Sequence, residues 1–466
     1  MITRCLCGAL LFLLAGCAGR MGAPSPLLPP GISADSARVL ARGQRWAFWA
    51  SVAELDLRAA DRRAPDGDHR RFAKAIRQLL DGHMADAEPP LAALAFTATD
   101  SILRTASHVL LSAALEYQGK WAALDSLSQT RDHSTLQVGK ELAAIEVWAS
   151  RMRLAPVPTY SFPASAVVLP FYAATTGTPI VNVRVNGVSK WFWIDTGSSM
   201  TLIASDVAAQ TGVKALSPDT LHMVTAVGVA NAQPAAIGRL EIGGLTIRGQ
   251  QAAIVSADQL AIDRGSAPGE SGITRIDGVI GMDVVRRLDL QIDFLRRKVR
   301  FARPRPGSGG DRERNLLWLG YPVVRVQQPD GRPLYFGLDT GADRTYATEA
   351  LLPKLTRRYL PKQRQTVAGF GGDTTMTVRT IPDLRLSIAR RSFTLQEIAV
   401  HPPQRLTFLQ LDGVIGMDTA EGLTMRIDMT NGFFGIDLSL GEWQTDWVRT
   451  EERVKVNGGG RSPRLP

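Results

Sequence analysis

The C-terminal two thirds of the chain repeat one pattern twice, and this repeat constrains the fold more than any other feature. Each half has an apolar run that enters Asp-Thr-Gly, at 195–197 and at 339–341, and a second apolar run that leaves it. A turn dipeptide, Asn-Gly at 186–187 or Asp-Gly at 330–331, lies eight residues before each aspartate (195 − 187 and 339 − 331). Such dipeptides favour two-residue β-hairpin turns. The sequence therefore predicts two lobes of the same design.

A second motif follows in each half, Asp-Gly-Val-Ile-Gly-Met-Asp at 277–283 and at 412–418. Three further pairs of aspartates are repeated in this way: Asp277 and Asp412, Asp283 and Asp418, and Asp293 and Asp428. The first pair precedes glycine and is interpreted as turn residues. The second pair is predicted to cap the N-terminus of a following helix, and the third to accept backbone or turn donors. Repetition alone therefore does not indicate catalysis.

Only Asp195 and Asp339 combine apolar strands on both sides with Thr-Gly directly after them. Two carboxyl groups that share one cleft cannot both be ionised easily, so one can act as a general base and the other as a general acid. Gly197 and Gly341 have no Cβ, and backbone N–H groups can therefore approach the carboxylates closely. These two aspartates are the predicted catalytic residues.

The two Asp-Thr-Gly motifs, each followed by an apolar-apolar-Gly motif, resemble the aspartic peptidases of the pepsin and retropepsin clan over residues 165–445. The Gly-Val-Ile-Gly-Met-Asp form is similar to bacterial retropepsin-like proteins, and the duplication in one chain is similar to the two lobes of pepsin. The resemblance implies a mainly β fold with two β-barrel lobes. In each lobe the segment 279–281 or 414–416 would pass behind the active loop.

The resemblance also implies the residues that support the two aspartates. These are Thr196, Gly197, Ser198, Thr340, Gly341 and Ala342. The threonine hydroxyls are expected to bond across to the other lobe. The residue after Asp-Thr-Gly differs between the two halves. The hydroxyl of Ser198 can donate a hydrogen bond to an ionised carboxylate, whereas the side chain of Ala342 cannot. We therefore expect Asp195 to ionise more easily than Asp339.

Two glycine-containing segments are candidates for flaps over the cleft. Their residues are Gly228 in the first half and Gly369, Phe370 and Gly371 in the second. The segment around Gly228 has no tyrosine of the kind that pepsin-like flaps carry, and the segment at 369–371 is more similar to retropepsin flaps. Which hairpin contacts substrate stays open.

Composition excludes several other classes of protein. The 466 residues are too many for one core. The net charge of +10 comes mostly from scattered arginine, without a basic block interleaved with aromatics, so no nucleic-acid partner is expected. The scatter indicates a composition bias or a weak attraction to an anionic envelope surface. The six histidines lack ligand spacing, so neither a metal nor another cofactor is expected. All three cysteines lie within the first 17 residues, which excludes a disulfide framework and a thiol nucleophile in the body.

Residues 1–16 are predicted to be a lipoprotein signal peptide. Arg4 supplies the positive charge, and 9–15 form a short apolar run. The run ends in Leu-Ala-Gly-Cys, which resembles a lipobox and implies cleavage before Cys17 and lipidation of its sulfur. The alternative is an ordinary signal peptide with an incidental cysteine. Ala18 follows Cys17, a pattern that implies the outer membrane, with the protein facing the periplasm.

The chain divides into a signal peptide, a flexible tether at 17–35, a helical region at 36–153, lobe 1 at 160–302, a linker at 303–315, lobe 2 at 316–446 and a disordered tail at 447–466. In the helical region Phe72, Ile76 and Leu79 fall on one face. Gly82 and Gly119 mark helix junctions 37 residues apart (119 − 82), a spacing that resembles tetratricopeptide hairpins. A propeptide, a regulator, a packing module and a substrate-recruiting array all remain open for this region.

These features together predict a monomeric aspartic endopeptidase of the bacterial cell envelope, anchored through Cys17, that binds extended peptides. A non-catalytic peptide-binding or scaffold lipoprotein that holds its ligand by strand pairing is the alternative. A narrow processing role on one envelope protein is a third possibility. Substrate preference and pH optimum cannot be inferred from the sequence.

Overall fold

The computed structural model describes residues 4–6, 44–130, 140–173, 177–225, 228–263, 273–307, 313–355, 360–369, 372–389, 391–402, 405–406, 409–438 and 454–455. Within these residues the N-terminal part is helical and the remainder is mainly β. The N-terminal helices are α1 (Gln44–Ala53), α2 (Leu57–Arg63), α3 (Gly67–Leu80), α4 (Met84–Thr97), α5 (Ser101–Gln118), α6 (Trp121–Gln129) and α7 (Lys140–Met152). Later come α8 (Ser205–Thr211), α9 (Met282–Val285) and short 3₁₀ turns at Ala257–Leu260, Glu349–Lys354 and Met417–Ala420.

The helices begin and end where local chemistry predicts. Asp66 caps α3 by accepting from the His69 N–H at 2.9 Å, and Asp100 caps α5 in the same way. Gly82 and Gly119 have φ of 79° and 71°, in the left-handed region that glycine adopts without strain. The predicted helix junctions at these glycines are confirmed, whereas the resemblance to tetratricopeptide repeats stays a prediction.

The strands form two large sheets. The strands up to the end of lobe 1 are β1 (Arg4–Leu6), β2 (Thr159–Ser161), β3 (Val167–Ala173), β4 (Pro179–Val185), β5 (Val188–Ile194), β6 (Thr201–Ala204), β7 (Lys214–Ala215), β8 (Leu221–Thr225), β9 (Gly228–Ile242), β10 (Leu245–Val255), β11 (Ala261–Asp263), β12 (Ile273–Arg275), β13 (Gly278–Ile280), β14 (Asp289–Asp293) and β15 (Lys298–Ala302). The later strands are β16 (Leu316–Trp318), β17 (Pro322–Gln327), β18 (Pro333–Leu338), β19 (Tyr346–Thr348), β20 (Lys362–Gly369), β21 (Gly372–Ile388), β22 (Arg391–His401), β23 (Arg405–Leu406), β24 (Leu409–Gln410), β25 (Gly413–Ile415), β26 (Leu423–Asp428), β27 (Phe433–Leu438) and β28 (Val454–Lys455).

The two lobes repeat one arrangement around a central strand. In lobe 1, β13 lies between β5, to which it is parallel, and β6, to which it is antiparallel. In lobe 2, β25 lies in the same way between β18 and β19. Both central strands are buried at every residue, which explains why the repeated Gly-Val-Ile run shows no alternation of apolar and polar residues.

The lobes are joined by an antiparallel pair of strands, β14 of lobe 1 and β26 of lobe 2, in which Asp289 lies opposite Asp428. The Arg426 guanidinium crosses this junction and donates to both carboxylate oxygens of Asp289, at 2.8 and 3.0 Å. All three side chains are buried. The predicted linker at 303–315, described except for 308–312, is therefore not the only connection between the lobes.

The helical region packs against both lobes. Trp121 in α6 donates its indole N–H to Gln251 of β10 at 2.7 Å. The ring of Tyr117 at the end of α5 lies 4.9 Å from the guanidinium of Arg286 in lobe 1 and 4.9 Å from the ring of Trp318 in lobe 2. Tyr117 thus contacts both lobes at once.

Both predicted hairpins are present, but only the first has the predicted two-residue turn. Asn186 and Gly187 form a two-residue turn between β4 and β5, with φ of 49° and 88°. The second connection, between β17 and β18, has five residues, from 328 to 332. Only Gly331 has a positive φ there, and Asp330 instead accepts the Arg332 N–H at 3.1 Å. A two-residue type I′ turn needs positive φ at both central residues, so the prediction for 330–331 was wrong.

The termini lie mostly outside the described residues, including Cys17, the apolar run at 9–15 and the tether. Arg4–Leu6 pairs with β20, and Val454–Lys455 pairs with β22, a short strand within a tail that we expected to be disordered. Among the described helices, none combines the length and apolar character needed to cross a lipid bilayer.

We predict that Arg426→Met lowers the free energy of unfolding by about 3 kcal/mol, because Asp289 would stay buried without its bidentate partner. The double variant Arg426→Met/Asp289→Leu should recover most of this loss, since it removes both buried charges. Urea denaturation of the wild type and both variants measures this. A double variant that is less stable than the single one would contradict the prediction.

Candidate active site

Two apolar strands deliver the two aspartates to the junction between the lobes. Asp195 follows β5 and Asp339 follows β18. The Asp195 N–H donates to Ile280 of β13 at 3.0 Å, and the Asp339 N–H donates to Ile415 of β25 at 3.0 Å. The central strand of each lobe therefore holds the backbone of its aspartate, as the resemblance to aspartic peptidases implied.

A glycine directly follows each central strand because another backbone segment passes close to its Cα atom. A Cβ on Gly281 would lie 2.4 Å from the Met200 carbonyl oxygen, and one on Gly416 would lie 2.5 Å from the Arg344 carbonyl carbon. Real Cβ atoms do not approach backbone atoms this closely. The second motif thus contains glycine because the loop after each aspartate folds back over it.

The two loops are tied together by Thr196 and Thr340. Thr196 Oγ1 donates to the Leu338 carbonyl at 2.9 Å, and Thr340 Oγ1 donates to the Ile194 carbonyl at 2.8 Å. Each hydroxyl also accepts the backbone N–H of the other threonine at 3.0 Å. These four bonds are symmetric and fully buried, and they are the cross-lobe contacts expected of the two threonines.

The same arrangement holds the two carboxyl groups beside each other. Gly197 N–H donates to Asp195 Oδ1 at 2.7 Å, and Gly341 N–H donates to Asp339 Oδ1 at 2.8 Å. A Cβ on Gly197 would lie 2.5 Å from Asp339 Oδ1, so the carboxyl group of lobe 2 rests against the glycine of lobe 1. The Oδ2 atom of each aspartate is buried and has no hydrogen-bond partner among the described residues. The two free oxygens could bind a water or a substrate carbonyl.

The pKa of each aspartate is raised, because both side chains are buried and burial disfavours the charged form. Burial raises the pKa of Asp339 to about 7. The pKa of Asp195 is raised well above its usual value by burial and then by the neighbouring charge of Asp339. The interaction between the two groups lowers the pKa of Asp339, as do the N–H groups of Gly341 and Ala342. The two carboxyl groups therefore titrate as a coupled pair that shares one proton.

The expected easier ionisation of Asp195 rested on a hydrogen bond from Ser198. Its hydroxyl donates to the Met200 carbonyl at 2.7 Å, and no bond joins it to Asp195. The Ala342 N–H donates to Asp339 Oδ1 at 3.2 Å, and the Ser198 N–H likewise lowers the pKa of Asp195, so both lobes supply a second backbone donor. The loop turns the Ser198 side chain back along its own chain, and the order of ionisation within the pair stays a prediction.

The prediction that Asp283 and Asp418 cap helices was wrong, since Gly281 and Gly416 occupy the N-cap positions. Their carboxylates instead accept hydroxyl groups from Thr201 at 2.9 Å and Thr345 at 2.7 Å. Each threonine lies six residues after a predicted catalytic aspartate (201 − 195 and 345 − 339). The equal spacing in both halves was the signal that could have identified these supporting pairs.

The other repeated aspartates have structural roles. Asp277 and Asp412 lie in bends and accept the N–H groups of Trp191 and Tyr335, at 2.8 and 2.9 Å. Asp293 and Asp428 accept turn N–H groups, as predicted. Thr178, which no sequence pattern indicated, donates to the Thr340 carbonyl at 2.9 Å from 162 residues away.

Two of the flap candidates, Gly228 and Gly369, lie at the ends of long hairpin strands. Gly228 begins β9, where it pairs with Thr225 of β8, and Gly369 ends β20, where it pairs with Gly372 of β21. Phe370 and Gly371 lie outside the described residues. The role of either hairpin as a flap stays a prediction.

Residues 181–284 match the family model described as aspartyl protease. The chain is therefore similar to aspartyl proteases over this segment. The segment contains the first Asp-Thr-Gly loop, β13 and Asp283. Among curated proteins none matches the chain.

Two aspartic proteases are among the solved structures that are similar to the chain. An aspartic proteinase from Irpex lacteus is 14% identical, with a TM-score of 0.36 over 59% of this chain and 97% of its own. A retropepsin-like aspartic protease from Rickettsia conorii is 18% identical, with a TM-score of 0.21 over 31% of this chain and 92% of its own. The family match at 181–284 supports aspartic peptidase activity in general terms.

We predict that Asp339→Asn stabilises the protein at about pH 8 and has little effect at about pH 4. Near pH 4 the Asp339 carboxyl is protonated in the folded state and half protonated when unfolded. At higher pH the Asp339 carboxyl of the unfolded chain ionises freely, whereas in the folded wild type it keeps its proton until the pH reaches about 7. The stability that the raised pKa contributes at low pH is therefore lost as the pH rises. The asparagine variant has no such loss, so its advantage should reach on the order of 3 kcal/mol.

Urea denaturation at both pH values measures this difference. Asp330→Asn is the matched control, because Asp330 is exposed and Arg332 lowers its pKa; we expect no gain at the higher pH. An Asp339→Asn effect that is the same at both pH values would exclude a raised pKa at this site.

Proposed function

We propose that this chain is an aspartic endopeptidase that hydrolyses peptide bonds with Asp195 and Asp339 and acts as a monomer on extended peptides. The observation that carries the proposal is the pair of buried carboxyl groups that Thr196 and Thr340 tie together, each with an unbonded Oδ2. Both aspartates come from one chain, so no second copy is needed to complete the pair.

We assign the role of general base to Asp339 and the role of general acid to Asp195, within a pair that shares one proton. The ionised Asp339 carboxylate takes a proton from a water, and the water oxygen forms a bond to the scissile carbonyl carbon. The protonated Asp195 carboxyl donates to the oxygen that becomes negatively charged. Collapse of this intermediate breaks the C–N bond, the amine leaves with the proton that Asp339 had taken, and Asp195 recovers its own proton. No acyl-enzyme forms.

The helical region is proposed to be a permanent part of this peptidase. Tyr117 lies between Arg286 of lobe 1 and Trp318 of lobe 2, and Trp148 of α7 donates to the His222 carbonyl of β8 at 3.1 Å. These contacts support a brace for the two lobes. The propeptide, regulator and recruitment roles remain its alternatives.

The catalytic proposal is tested with the full chain, Asp195→Asn and Asp339→Asn. Each is incubated with a diverse peptide library between about pH 4 and 8, and cleavage is measured by mass spectrometry. Both substitutions should lower the rate by at least about 1,000-fold, because each removes a proton-transfer group. The control variant Asp330→Asn makes the same chemical change at an exposed position, and it should cleave the peptides as fast as the wild type does.

Cleavage that persists in both asparagine variants would rule out the Asp195/Asp339 pair. If no form of the chain cuts any library peptide, the substrate-restricted enzyme and the non-catalytic scaffold become the leading interpretations. A peptide that binds the chain uncut, with equal affinity for all three forms, would favour the scaffold.

We also propose that the protein is a lipoprotein of the bacterial cell envelope, anchored at the outer membrane through Cys17. The support is the sequence of residues 1–18. Cys17→Ala should remove the lipid and shift the protein from the membrane to the soluble periplasmic fraction. Metabolic labelling with a fatty-acid analogue measures the lipid directly, and labelling that persists in the alanine variant would disprove attachment at Cys17.

A further inference from the structure

A group of large apolar side chains is exposed on lobe 1, next to a basic turn. Leu295, at the turn between β14 and β15, is 64% exposed. Tyr172 on β3 is 54% exposed and Trp191 on β5 is 40% exposed. Arg297 and Lys298 complete the turn. We call these five residues the 295 surface.

Backbone pairing places the turn of the 295 surface beside β3, and one ring contact connects β3 to β5. The Phe171 N–H of β3 donates to the Arg297 carbonyl at 3.0 Å, and Lys298 of β15 lies opposite Pro170 in the β3–β15 pair. The turn therefore lies against the end of β3 that carries Tyr172. The rings of Tyr172 and Trp191 are in edge contact, with centroids 5.1 Å apart. The surface thus extends from the turn across to β5.

The turn is positively charged. Arg296 is paired with the buried Asp293 at 2.9 Å, and this leaves Arg297 and Lys298 without an ion-pair partner among the described residues. Strands β3, β4 and β5, which form the adjoining sheet, contain no aspartate or glutamate. Two unpaired cations and three exposed apolar side chains therefore share one surface.

The shape and chemistry of the 295 surface favour a lipid bilayer as its partner. Single exposed apolar residues are normal, but a cluster of a leucine, a tyrosine and a tryptophan is not explained by chance exposure. The leucine projects from a tight turn, a convex feature that can insert into a deformable layer. Tryptophan and tyrosine suit the boundary between head groups and acyl chains, and lysine and arginine attract anionic head groups.

We propose that the 295 surface docks lobe 1 onto a membrane that contains anionic phospholipids. Strand β5 runs from Trp191 directly into Asp195, so the docked protein would hold its first Asp-Thr-Gly loop close to the bilayer. This docking is separate from the proposed lipid anchor at Cys17 and from catalysis. If the chain is a peptidase, its substrates would be segments that lie near the membrane surface.

The test measures vesicle binding by the full chain with Cys17→Ala, which excludes lipid attachment at that sulfur. Vesicles of phosphatidylcholine alone are compared with vesicles that also contain about 30% phosphatidylglycerol, by co-sedimentation. We expect binding to the anionic vesicles to be at least about 10-fold stronger. Arg297→Glu/Lys298→Glu should abolish this preference, and Leu295→Ser/Tyr172→Ser should weaken binding by about 5-fold or more.

Two matched controls make the same chemical changes elsewhere on the surface. Arg70→Glu/Lys74→Glu reverses two exposed charges on α3, and Phe96→Ser/Leu154→Ser removes two exposed apolar side chains of the helical region. Both controls should bind as the parent chain does. Thermal unfolding of every variant checks that the fold is intact.

Several outcomes would overturn the proposal. One is equal binding to the two kinds of vesicle, and another is a control that weakens binding as much as its partner in the 295 surface. Capture by immobilised polyglutamate without capture by vesicles would identify the surface as a site for an acidic protein instead. None of these results depends on peptidase activity, so failure of the docking proposal can be distinguished from failure of the proposed function.

Discussion

The exchange of hydrogen bonds between Thr196 and Thr340 is the constraint on which the rest of the site depends. Each hydroxyl donates to a carbonyl of the other lobe and accepts the N–H of the other threonine. A buried hydroxyl with all its bonds made cannot be moved cheaply, because any shift leaves buried polar groups unpaired. The two Asp-Thr-Gly loops are therefore held in one relative position before any substrate binds.

Other contacts between the two lobes help to hold the two threonine loops together. The β14–β26 pair joins the lobes through the backbone, and Arg426 joins them through Asp289. Tyr117 brings the helical region into contact with both lobes. Because the two carboxyl groups are disfavoured by burial and by each other, the site stores unfavourable electrostatic energy that these contacts must offset. A repeated fold with several interlobe connections can hold such a pair together.

Local sequence patterns predicted most of the fold. The central strands behind each loop, the helix junctions at Gly82 and Gly119 and the turn at 186–187 are all present. Three predictions about turns and helix caps were wrong. Asp330 was expected to form a tight turn, and Asp283 and Asp418 were expected to cap helices. Asp283 and Asp418 found partners that the neighbouring sequence does not reveal, such as Thr201 for Asp283, whereas Asp330 is bonded by the nearby Arg332.

The sequence alone determined the duplicated architecture and the identity of the two aspartates, because apolar runs, glycines and equal spacing are properties of the chain itself. Only the tertiary structure decided that both carboxyl groups are buried side by side with raised pKa values. This depends on burial and on donors that come from both loops, and the fold also directs the Ser198 hydroxyl to Met200 instead of Asp195. Electrostatic balance in a buried site is set by distances between residues that lie far apart in sequence, and no local pattern records those distances.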